Sequence, residues 1–349
     1  MEVSGGGLVD PYNLVMKIQL EDRFEDIASV ENLLEAWQEF IKGKRGKTDV
    51  QEFSLRLMDN IILLHQELVS QNYYHGGYQA FNISDPKPRN IHKAAVRDRL
   101  LHHAIYRILY PFFDRTFVAD SYSCRISKGT HKAINRFRSL ACRVSRNNTR
   151  TCWILKCDIK RFFENIDHEV LKDILRQYIA DESILGLLAE VIGSFSSRRK
   201  GIGLPLGNLT SQLFVNIYMN EFDQFVKHEL KARHYIRYAD DFVILLEDRR
   251  RLENLVISIQ EFLKRELKLE LHPDKIFIKT LASGVDFLGW VHFSDHRVLR
   301  TATKRRTLRR IQSNSAPETI NSYLGLLSHG NTYKLRLELD VEAFTFSSP

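Results

Sequence analysis

Three aspartates in two separate segments have the residue type and spacing of a metal-binding site. Asp240 and Asp241 are adjacent in the stretch RYADDFVILL, and Asp158 ends the apolar run TCWILKCD. Because burying two neighbouring carboxylates without a partner costs several kcal/mol, a metal ion is the obvious partner. Three carboxylates could hold two Mg²⁺ ions, which together activate an attacking hydroxyl and stabilise the leaving oxygen of a displacement. The alternative is a solvated acidic turn, a setting in which aspartate is common.

Apolar runs beside these aspartates predict the strands that position them. The segment TCWILKCDIKRFF predicts a strand that ends at Asp158, and HYIRYADDFVILLED predicts two strands joined at the acidic pair. Since a strand end and a hairpin turn can lie side by side in a sheet, we expect the three carboxylates to be close together. Further strands are predicted in LELHPDKIFIKTL and VDFLGWVHF.

Amphipathic helices precede and separate the predicted strands. Apolar residues recur at helical spacing in the ranges 31–47, 49–71, 97–114, 168–179, 208–230 and 248–267, and basic helices are predicted from about residue 298 to 340. The segment NYYHGGYQAFNISDPKPRNIHKA predicts a turn and a hairpin between the second and third of these helices. This order predicts an α+β fold in which helices cover one face of a sheet.

The formal net charge of +8 is concentrated in two basic segments. Residues 85–150 contain 15 Lys or Arg against 4 Asp or Glu, and RVLRTATKRRTLRRI (297–311) contains 7 Lys or Arg and no acidic residue. A basic block is usually a solvated surface, but two such blocks far apart in the sequence favour a nucleic-acid partner. The hydrophobic content of 44% supports a buried core, which excludes an intrinsically disordered protein.

Neither a membrane span nor a secretory signal is predicted. No apolar run reaches the ~18 residues that a span needs, and the first residues, MEVSGGGLVDPYN, lack a charged region followed by an apolar one. The cysteines form no CxxC pair, so we expect reduced thiols rather than a zinc site. They are Cys124, Cys142, Cys152 and Cys157. These features predict a cytoplasmic location.

Six motifs resemble those of reverse transcriptases and follow the order of that family. Tyr238-Ala-Asp-Asp241 resembles the YxDD motif. The others are SYSCRISKGTHKAI (121–134) of the fingers, DIKRFF (158–163) with the first catalytic aspartate, GLPLGNLTSQ (203–212) of the loop that contacts template and nucleotide, LHPDK (271–275) with the palm lysine, and FLGW (287–290) of the primer grip. The resemblance covers roughly residues 85 to 295 without a large gap.

The resemblance implies an α+β right-hand polymerase with fingers, a palm built on an antiparallel sheet with packed helices, and a small helical thumb. We expect an N-terminal helical extension and the start of the fingers in residues 1–84, and the rest of the fingers in 85–150. The palm is expected in 151–295, with a fingers insertion at about 180–202, and the thumb in 296–349.

The resemblance also implies the catalytic roles. Asp158 and Asp240 would be the main metal ligands, Asp241 a secondary one, and the carbonyl of Ile159 a further oxygen ligand. The cofactor would be two Mg²⁺ ions, with Mn²⁺ as a substitute. The reaction would be nucleotidyl transfer from dNTPs on an RNA template.

Substrate contacts follow from the same motifs. Phe163 would be the steric gate that clashes with a 2′-hydroxyl, and Lys275 would protonate the pyrophosphate leaving group; the alternatives are a core phenylalanine and a surface lysine. The remaining nucleotide contacts would be Arg89, Leu206 and Gln212. Template and primer contacts are expected at Arg125, Lys128, Gly207, Asn208, Phe287, Leu288, Gly289, Trp290, Arg305 and Arg306, with packing as the alternative for Trp290.

The loop LGNLTSQ (206–212) points to a subtype. Group II intron enzymes usually carry QGxxxSP there, whereas this form resembles the reverse transcriptases of diversity-generating retroelements, prokaryotic enzymes that misincorporate opposite template adenine. The roughly 60 residues after the primer grip are expected to suffice for a thumb but not for maturase and endonuclease domains. Partners would be a structured template RNA, a DNA or RNA primer, dNTPs and a small basic accessory protein oligomer.

Three alternatives stay open. One is an antiphage defence reverse transcriptase that copies an associated non-coding RNA. Another is a group II intron-like or retron-like enzyme. The third, from a different class, is a catalytically silent RNA-binding protein with a polymerase fold.

Overall fold

Short strands and amphipathic helices alternate along the chain in the structure, a computed structural model that describes residues 17–84, 88–313 and 316–337. The strands are β1 (Tyr78–Ile83), β2 (Arg89–Ala94), β3 (Trp153–Asp158), β4 (Tyr235–Tyr238), β5 (Asp241–Leu246), β6 (Phe277–Thr280), β7 (Val285–Phe287), β8 (Trp290–His292) and β9 (Arg297–Leu299). The helices are α1 (Phe24–Ala28), α2 (Val30–Phe40), α3 (Thr48–Leu55), α4 (Leu57–Val69), α5 (Val96–Thr116), α6 (Thr130–Val144), α7 (His168–Arg176), α8 (Glu182–Gly193), α9 (Leu209–Gln224), α10 (Arg249–Glu266), α11 (Thr301–Ser313) and α12 (Pro317–Leu327).

A four-stranded antiparallel sheet with the order β4-β5-β3-β6 lies at the centre. Strand β5 (DFVILL) is a continuous apolar run because both of its faces are buried. Leu155, Phe242 and Ile244 pack on one face with residues of α9 and α10. Ile154 and Val243 pack on the other face with α6. The sheet is antiparallel and has helices packed on it, as the fold prediction requires; the bounds of the palm stay a prediction.

Helix α6 corrects the expectation that helices cover one face. It carries the apolar stripe that closes the second face of the sheet, and this stripe is Ala133, Ile134, Phe137, Leu140, Ala141 and Val144. Polar residues, four of them Lys or Arg, form the rest of the helix surface, so THKAINRFRSLACRV is an amphipathic helix within the basic block. The prediction of one covered face was therefore wrong.

The predicted hairpin before α5 is present as β1 and β2. Its strands pair antiparallel from Tyr78 with Ala94 to Ile83 with Arg89. The predicted boundary between residues 84 and 85 falls inside this hairpin, although its two strands form a single unit. Residues 85–87 of its turn lie outside the described residues, as do 1–16 of the predicted extension and 338–349 of the predicted thumb.

A second small sheet, β7-β8-β9, leads into the last helices. The start of the basic block, RVL, pairs with β8 as a strand, where the sequence predicted a helix. Trp290 packs in an apolar cluster with Leu299, Ile311 and Leu327. Gly330 lies against the indole so closely that an added Cβ would sit 2.0 Å from it, so only glycine fits this approach.

Of two predicted helices, one is divided in the structure and the other is confirmed. The helix expected over 49–71 is broken at Arg56 into α3 and α4. The helix predicted for 248–267 is confirmed as α10, since Asp248 accepts hydrogen bonds from the amides of Arg250 and Arg251 and caps it.

All four cysteines lie among the described residues and are free thiols, as predicted. Over residues 17–84, 88–313 and 316–337, none of the helices is both long and apolar enough to cross a membrane.

A buried polar cluster lies at the base of the β1–β2 hairpin. The Nε2 atoms of His75 and His102 are 3.1 Å apart. The carboxylate of Asp98 accepts hydrogen bonds from the Tyr73 hydroxyl at 2.9 Å and the Gly76 amide at 3.0 Å. Burial lowers the pKa of His102 to about 3, so this imidazole is neutral in the folded chain.

This burial predicts that folding stability falls with acidity. Below the ordinary histidine pKa of about 6.5, the unfolded chain takes up a proton at His102 and the folded chain does not. Protonation therefore lowers the free energy of the unfolded state relative to the folded state. The stabilisation is complete above about pH 6.5 and is lost progressively towards pH 3. We expect His102 to account for about 2 kcal/mol of unfolding free energy lost between pH 7 and pH 5.

Urea unfolding of the wild type and of His102→Gln at both pH values measures this loss. The variant should lose less stability on acidification, whatever its stability at pH 7. The exposed His228 supplies the control, because His228→Gln should keep the wild-type pH dependence. Equal losses for the wild type and His102→Gln would contradict the prediction.

Candidate functional site

The three aspartates meet at one edge of the central sheet. Asp158, the last residue of β3, is the register partner of Asp241, the first residue of β5. Asp240 lies in the turn between β4 and β5, and its carbonyl accepts a hydrogen bond of 3.1 Å from the amide of Ile159. A strand end and a hairpin turn therefore lie side by side, as the sequence predicts.

Two lysines face these carboxylates. Lys275 Nζ is 2.7 Å from Asp158 Oδ1, and Lys156 Nζ is 3.2 Å from Asp241 Oδ2. Lys156 precedes Asp158 by two residues on β3, so both side chains lie on the same face of the strand. Sequence reasoning missed Lys156, and the signal that could have found it was this period of two.

The negative charge of the Asp241 carboxylate is only partly compensated by its surroundings. Its Oδ1 atom is buried and has no hydrogen-bond partner. Burial raises the pKa of Asp241 to about 7, with Asp240 and Asp158 acting in the same direction and Lys156 against it. An unpaired buried oxygen costs free energy, so this position suits a bound cation.

The donor atoms at this edge fit a hard divalent cation in type. They are carboxylate oxygens, which Mg²⁺ and Mn²⁺ prefer, and one of them is without a partner. As the side chains stand, no three His, Cys, Asp or Glu of the described residues converge on a metal position. Two of the three carboxylates face lysines instead, so the ammonium groups occupy the place of the cation charge.

Phe163 lies close to this edge in the chain, five positions after Asp158. The residue before its short 3₁₀ turn, Arg161, has a left-handed backbone with φ of 48°. The turn buries Phe162 and leaves the Phe163 ring half-buried, with the two rings 5.6 Å apart in an edge-on contact. Phe162 is therefore a core residue, whereas Phe163 packs against the core with part of its ring exposed, and its contact with a nucleotide stays a prediction.

The loop LGNLTSQ packs against the β1–β2 hairpin. The carbonyl of Leu206 accepts a hydrogen bond of 3.0 Å from the amide of His92. Gly207 has φ of +107°, and a Cβ there would lie 2.9 Å from Ile91. The structure thus joins the loop to β2, the strand that begins at the exposed Arg89.

The polar residues of this loop differ in exposure. Asn208 is buried at the N-cap position of α9, and its side-chain amide nitrogen has no partner. Gln212, one turn later, is half-buried. Their contacts with template or nucleotide stay predictions.

Arg125 and Lys128 make hydrogen bonds within their own segment, and their template contacts stay predictions. The Arg125 side chain is 5% exposed and pairs with Asp114 at 2.6 Å. Its Nη1 also donates to the carbonyls of Val118 and Ser121. Lys128 Nζ donates to the Ala119 carbonyl at 2.8 Å. Because the Arg125 side chain is buried and makes these internal bonds, this geometry favours a structural role for it.

The predicted primer grip is a tight hairpin between β7 and β8. Phe287 and Trp290 are buried in two apolar clusters, so they hold the hairpin and do not present surface to a primer. Leu288 and Gly289 form the turn with φ of 52° and 85° and are half-exposed. Lys156 Nζ also donates to the Asp286 carbonyl of β7 at 2.9 Å, which ties this hairpin to the acidic edge.

Helix α11 carries the basic block that follows the primer hairpin. Lys304, Arg305 and Arg309 are exposed, and Arg306 is half-exposed. Thr303, Thr307 and Ile311 form its buried side. The exposed side is therefore a basic helix surface.

Comparison with protein families gives one match over most of these motifs. The model described as reverse transcriptase (RNA-dependent DNA polymerase) matches residues 84–292, which is more than half of the chain. Among curated proteins, YkfC of Escherichia coli K12 is 27% identical over 295 residues, covering 73% of this chain and 75% of YkfC. The group II intron-encoded protein LtrA of Lactococcus lactis is 23% identical over 277 residues, covering 60% of this chain and 44% of LtrA.

Comparison with solved structures matches telomerase of Candida albicans, determined with a TWJ fragment of telomeric RNA. The TM-score is 0.50 at 13% identity, and the match covers 67% of this chain and 48% of the telomerase chain. At this identity the match bears on the fold alone, and it confirms the predicted right-hand polymerase class. The chain spans less than half of both LtrA and the telomerase chain.

Proposed function

This chain belongs to the reverse transcriptase (RNA-dependent DNA polymerase) family, and from that premise we propose that it copies an RNA template into DNA at the edge formed by Asp158, Asp240 and Asp241. The observation that carries the proposal is the pairing of Asp158 with Asp241 beside the Asp240 turn. A catalytically silent RNA-binding protein would have no need for three carboxylates at one edge.

Divalent metals, which reverse transcriptases generally use, would supply charge for the attacking hydroxyl and the leaving oxygen when bound. In this chain Asp158 and Asp240 would be their main ligands, with Asp241 and the Ile159 carbonyl as secondary ones. Lys275 Nζ holds a proton 2.7 Å from Asp158 and can donate it to the departing pyrophosphate. Lys156 offsets part of the charge of Asp241 through its contact of 3.2 Å.

Phe163 would select deoxynucleotides over ribonucleotides, because its half-exposed ring would clash with a 2′-hydroxyl. Phe163→Val should raise the ratio of rNTP to dNTP incorporation by roughly tenfold to a hundredfold, the range that a contact of this size contributes to selectivity. Single-nucleotide extension of a primed RNA with each nucleotide measures the ratio.

Phe53→Val is the matched control for this variant. Phe53 is a half-buried phenylalanine of α3 that packs on Trp37. Its replacement should leave the ratio unchanged. A Phe163→Val enzyme with the wild-type ratio would assign Phe163 to packing.

The template and primer would contact basic surface. In this proposal, Lys304, Arg305 and Arg306 of α11 meet the nucleic-acid backbone beyond the Leu288–Gly289 turn. Arg89, Leu206 and Gln212 would meet the nucleotide and the templating base, where β2 and the loop LGNLTSQ are joined.

Within the family, we propose a diversity-generating retroelement enzyme that misincorporates opposite template adenine. Support comes from LGNLTSQ, in which Leu206 and Gln212 are half-buried and would shape the site of the templating base. This reading implies a structured template RNA and a small basic accessory protein oligomer as partners. The similarity to LtrA favours a second candidate, a group II intron-like enzyme. A defence enzyme that copies its own RNA is a third.

Copying a defined RNA and sequencing the cDNA tests the activity and the subtype together. We expect substitutions to be enriched at template adenines, by at least about tenfold if each mispair is favoured by about 1.4 kcal/mol relative to the other positions. A second template with its adenines moved controls for local sequence. Substitutions no commoner at adenines than elsewhere would reject the retroelement reading and favour the intron-like one.

A further inference from the structure

The residue before the Tyr238–Asp241 turn takes part in a fully buried ion pair. Arg237 and Asp223, the latter from α9, are both 0% exposed. The contact is bidentate, with Arg237 Nε 2.8 Å from Asp223 Oδ1 and Nη2 2.7 Å from Oδ2. The Tyr235 hydroxyl donates to the same carboxylate at 2.6 Å. The pair is therefore satisfied on the side that faces α9.

The remaining donors of the guanidinium reach the turn and the fingers. Nη1 donates to the carbonyl of Ala239 at 3.2 Å and to Asn216 Oδ1 at 3.4 Å. Nη2 donates to Ser121 Oγ at 3.1 Å. With the two bonds to Asp223, each of the five N–H donors of the arginine has an acceptor.

The bond to Ala239 acts on a strained point of the backbone. Ala239 has φ of 56°, a left-handed conformation that costs free energy for a residue with a side chain. It directly precedes Asp240 and Asp241, so its conformation sets where both carboxylates lie. A lysine at position 237 could keep the charge but could not reach Asp223, Ser121 and Ala239 together.

Backbone contacts connect the same strand to the fingers motif. Arg237 donates its amide to the Asp120 carbonyl at 3.0 Å and accepts from the Tyr122 amide at 3.0 Å. Asn216 Nδ2 donates to the Ser123 carbonyl at 2.9 Å. Segment 120–123, the acidic turn and α9 thus converge on one side chain.

A buried ion pair is weak evidence for stability, because apolar residues of similar volume often stabilise a fold as well or better. What apolar residues could not supply is the bond to the Ala239 carbonyl. Resting on the polymerase function proposed above, we propose that Arg237 is a positioning residue. It fixes the Ala239 backbone so that Asp240 and Asp241 are aligned with Asp158, and it couples that alignment to segment 120–123.

Arg237→Lys in the full chain tests this role. We expect kcat per folded molecule to fall about a hundredfold, the scale of a displacement of about 1 Å in an active site. Because the substrate contacts are elsewhere, KM for dNTP and binding of primed RNA should stay within about threefold of the wild type. The Mg²⁺ concentration for half-maximal activity should rise at least about tenfold, since misaligned ligands bind the ion less well. A purely structural role would lower the folded fraction and leave both kcat per folded molecule and the half-maximal Mg²⁺ concentration unchanged.

A second variant keeps the test decisive if Arg237→Lys folds poorly. Arg237→Met/Asp223→Leu/Tyr235→Phe replaces the polar cluster by apolar side chains and should fold, as judged by thermal unfolding, yet keep the hundredfold loss of kcat. Tyr218→Phe is the control, because it removes another buried hydrogen bond of α9, to the Leu267 carbonyl at 2.7 Å, away from the turn. Its kcat should stay within about twofold of the wild type.

The outcomes separate the two proposals. Wild-type incorporation together with a wild-type kcat for folded Arg237→Lys, or for the folded triple variant, would overturn the positioning role alone. No incorporation by the wild-type chain on primed RNA would overturn the polymerase function and the positioning role with it.

Discussion

Asp240→Asn should lower dNTP incorporation on a primed RNA by at least about a thousandfold, which corresponds to about 4 kcal/mol of transition-state stabilisation. The substitution keeps the size of the side chain and removes the charge that would hold the metal. Divalent ions supply several kcal/mol to such displacements, and an amide is a poorer ligand than a carboxylate. Single-turnover incorporation with Mg²⁺, for the wild type and the variant, measures the effect.

Stability separates this loss of activity from unfolding. Asp240 contributes to raising the pKa of Asp241, so removing its charge relieves repulsion at a partly buried edge. Asp240→Asn should therefore unfold at the same or a higher denaturant concentration than the wild type. Asp274→Asn is the matched control: this neighbouring carboxylate is 88% exposed, and its replacement should leave the rate within about twofold. Equal incorporation by Asp240→Asn and the wild type would end the assignment of a polymerase site to this edge.

Asp223→Ala should lower the free energy of unfolding by about 3–5 kcal/mol, because it leaves the guanidinium of Arg237 buried without its counter-charge. The side chain is 0% exposed, so water cannot replace the carboxylate without opening the fold. Urea unfolding at neutral pH measures the difference. The double variant Asp223→Leu/Arg237→Met should be more stable than Asp223→Ala and recover most of the loss, because no unpaired charge is then buried.

An exposed ion pair is the control that separates the effect of burial from the effect of pairing on stability. Asp173 pairs with Arg176 at 2.6 Å, but both side chains are more than half exposed. Asp173→Ala should therefore cost less than about 1 kcal/mol. Similar losses for Asp223→Ala and Asp173→Ala would show that the buried pair contributes no more to the free energy of unfolding than an exposed one.

The elements around the acidic edge could be predicted because local sequence determines them. Apolar β-forming residues on both sides of Asp240 and Asp241 define the hairpin, and TCWILKC defines β3. Helix α6 was missed although its apolar residues recur at helical spacing, because the segment was interpreted as part of a basic block. The break between α3 and α4 escaped prediction because both halves share one amphipathic pattern, and Arg56 carries no local signal such as Gly or Pro.

What the sequence could not show about these residues depends on contacts distant along the chain. Arg125 resembles a phosphate-binding residue by composition, and only the position of Asp114 shows that it is buried in an ion pair. Phe287 and Trp290 belong to a primer motif, yet the packing of two clusters takes their side chains away from the surface. The period of two along β3 places Lys156 on the same face as Asp158, but its contact with Asp241 follows from the register of β3 with β5.

Lys156 contacts both the β7–β8 hairpin and the acidic edge. Its ammonium group contacts Asp241 at 3.2 Å and the Asp286 carbonyl at 2.9 Å, although 44 residues separate those two partners in sequence. Together with the pairing of β3 with β6 and the packing of Phe287 against the sheet, this side chain therefore fixes the spacing between the two parts. A change in the length of the intervening chain that leaves β3, the β7–β8 hairpin and Lys156 in place would leave this spacing unchanged.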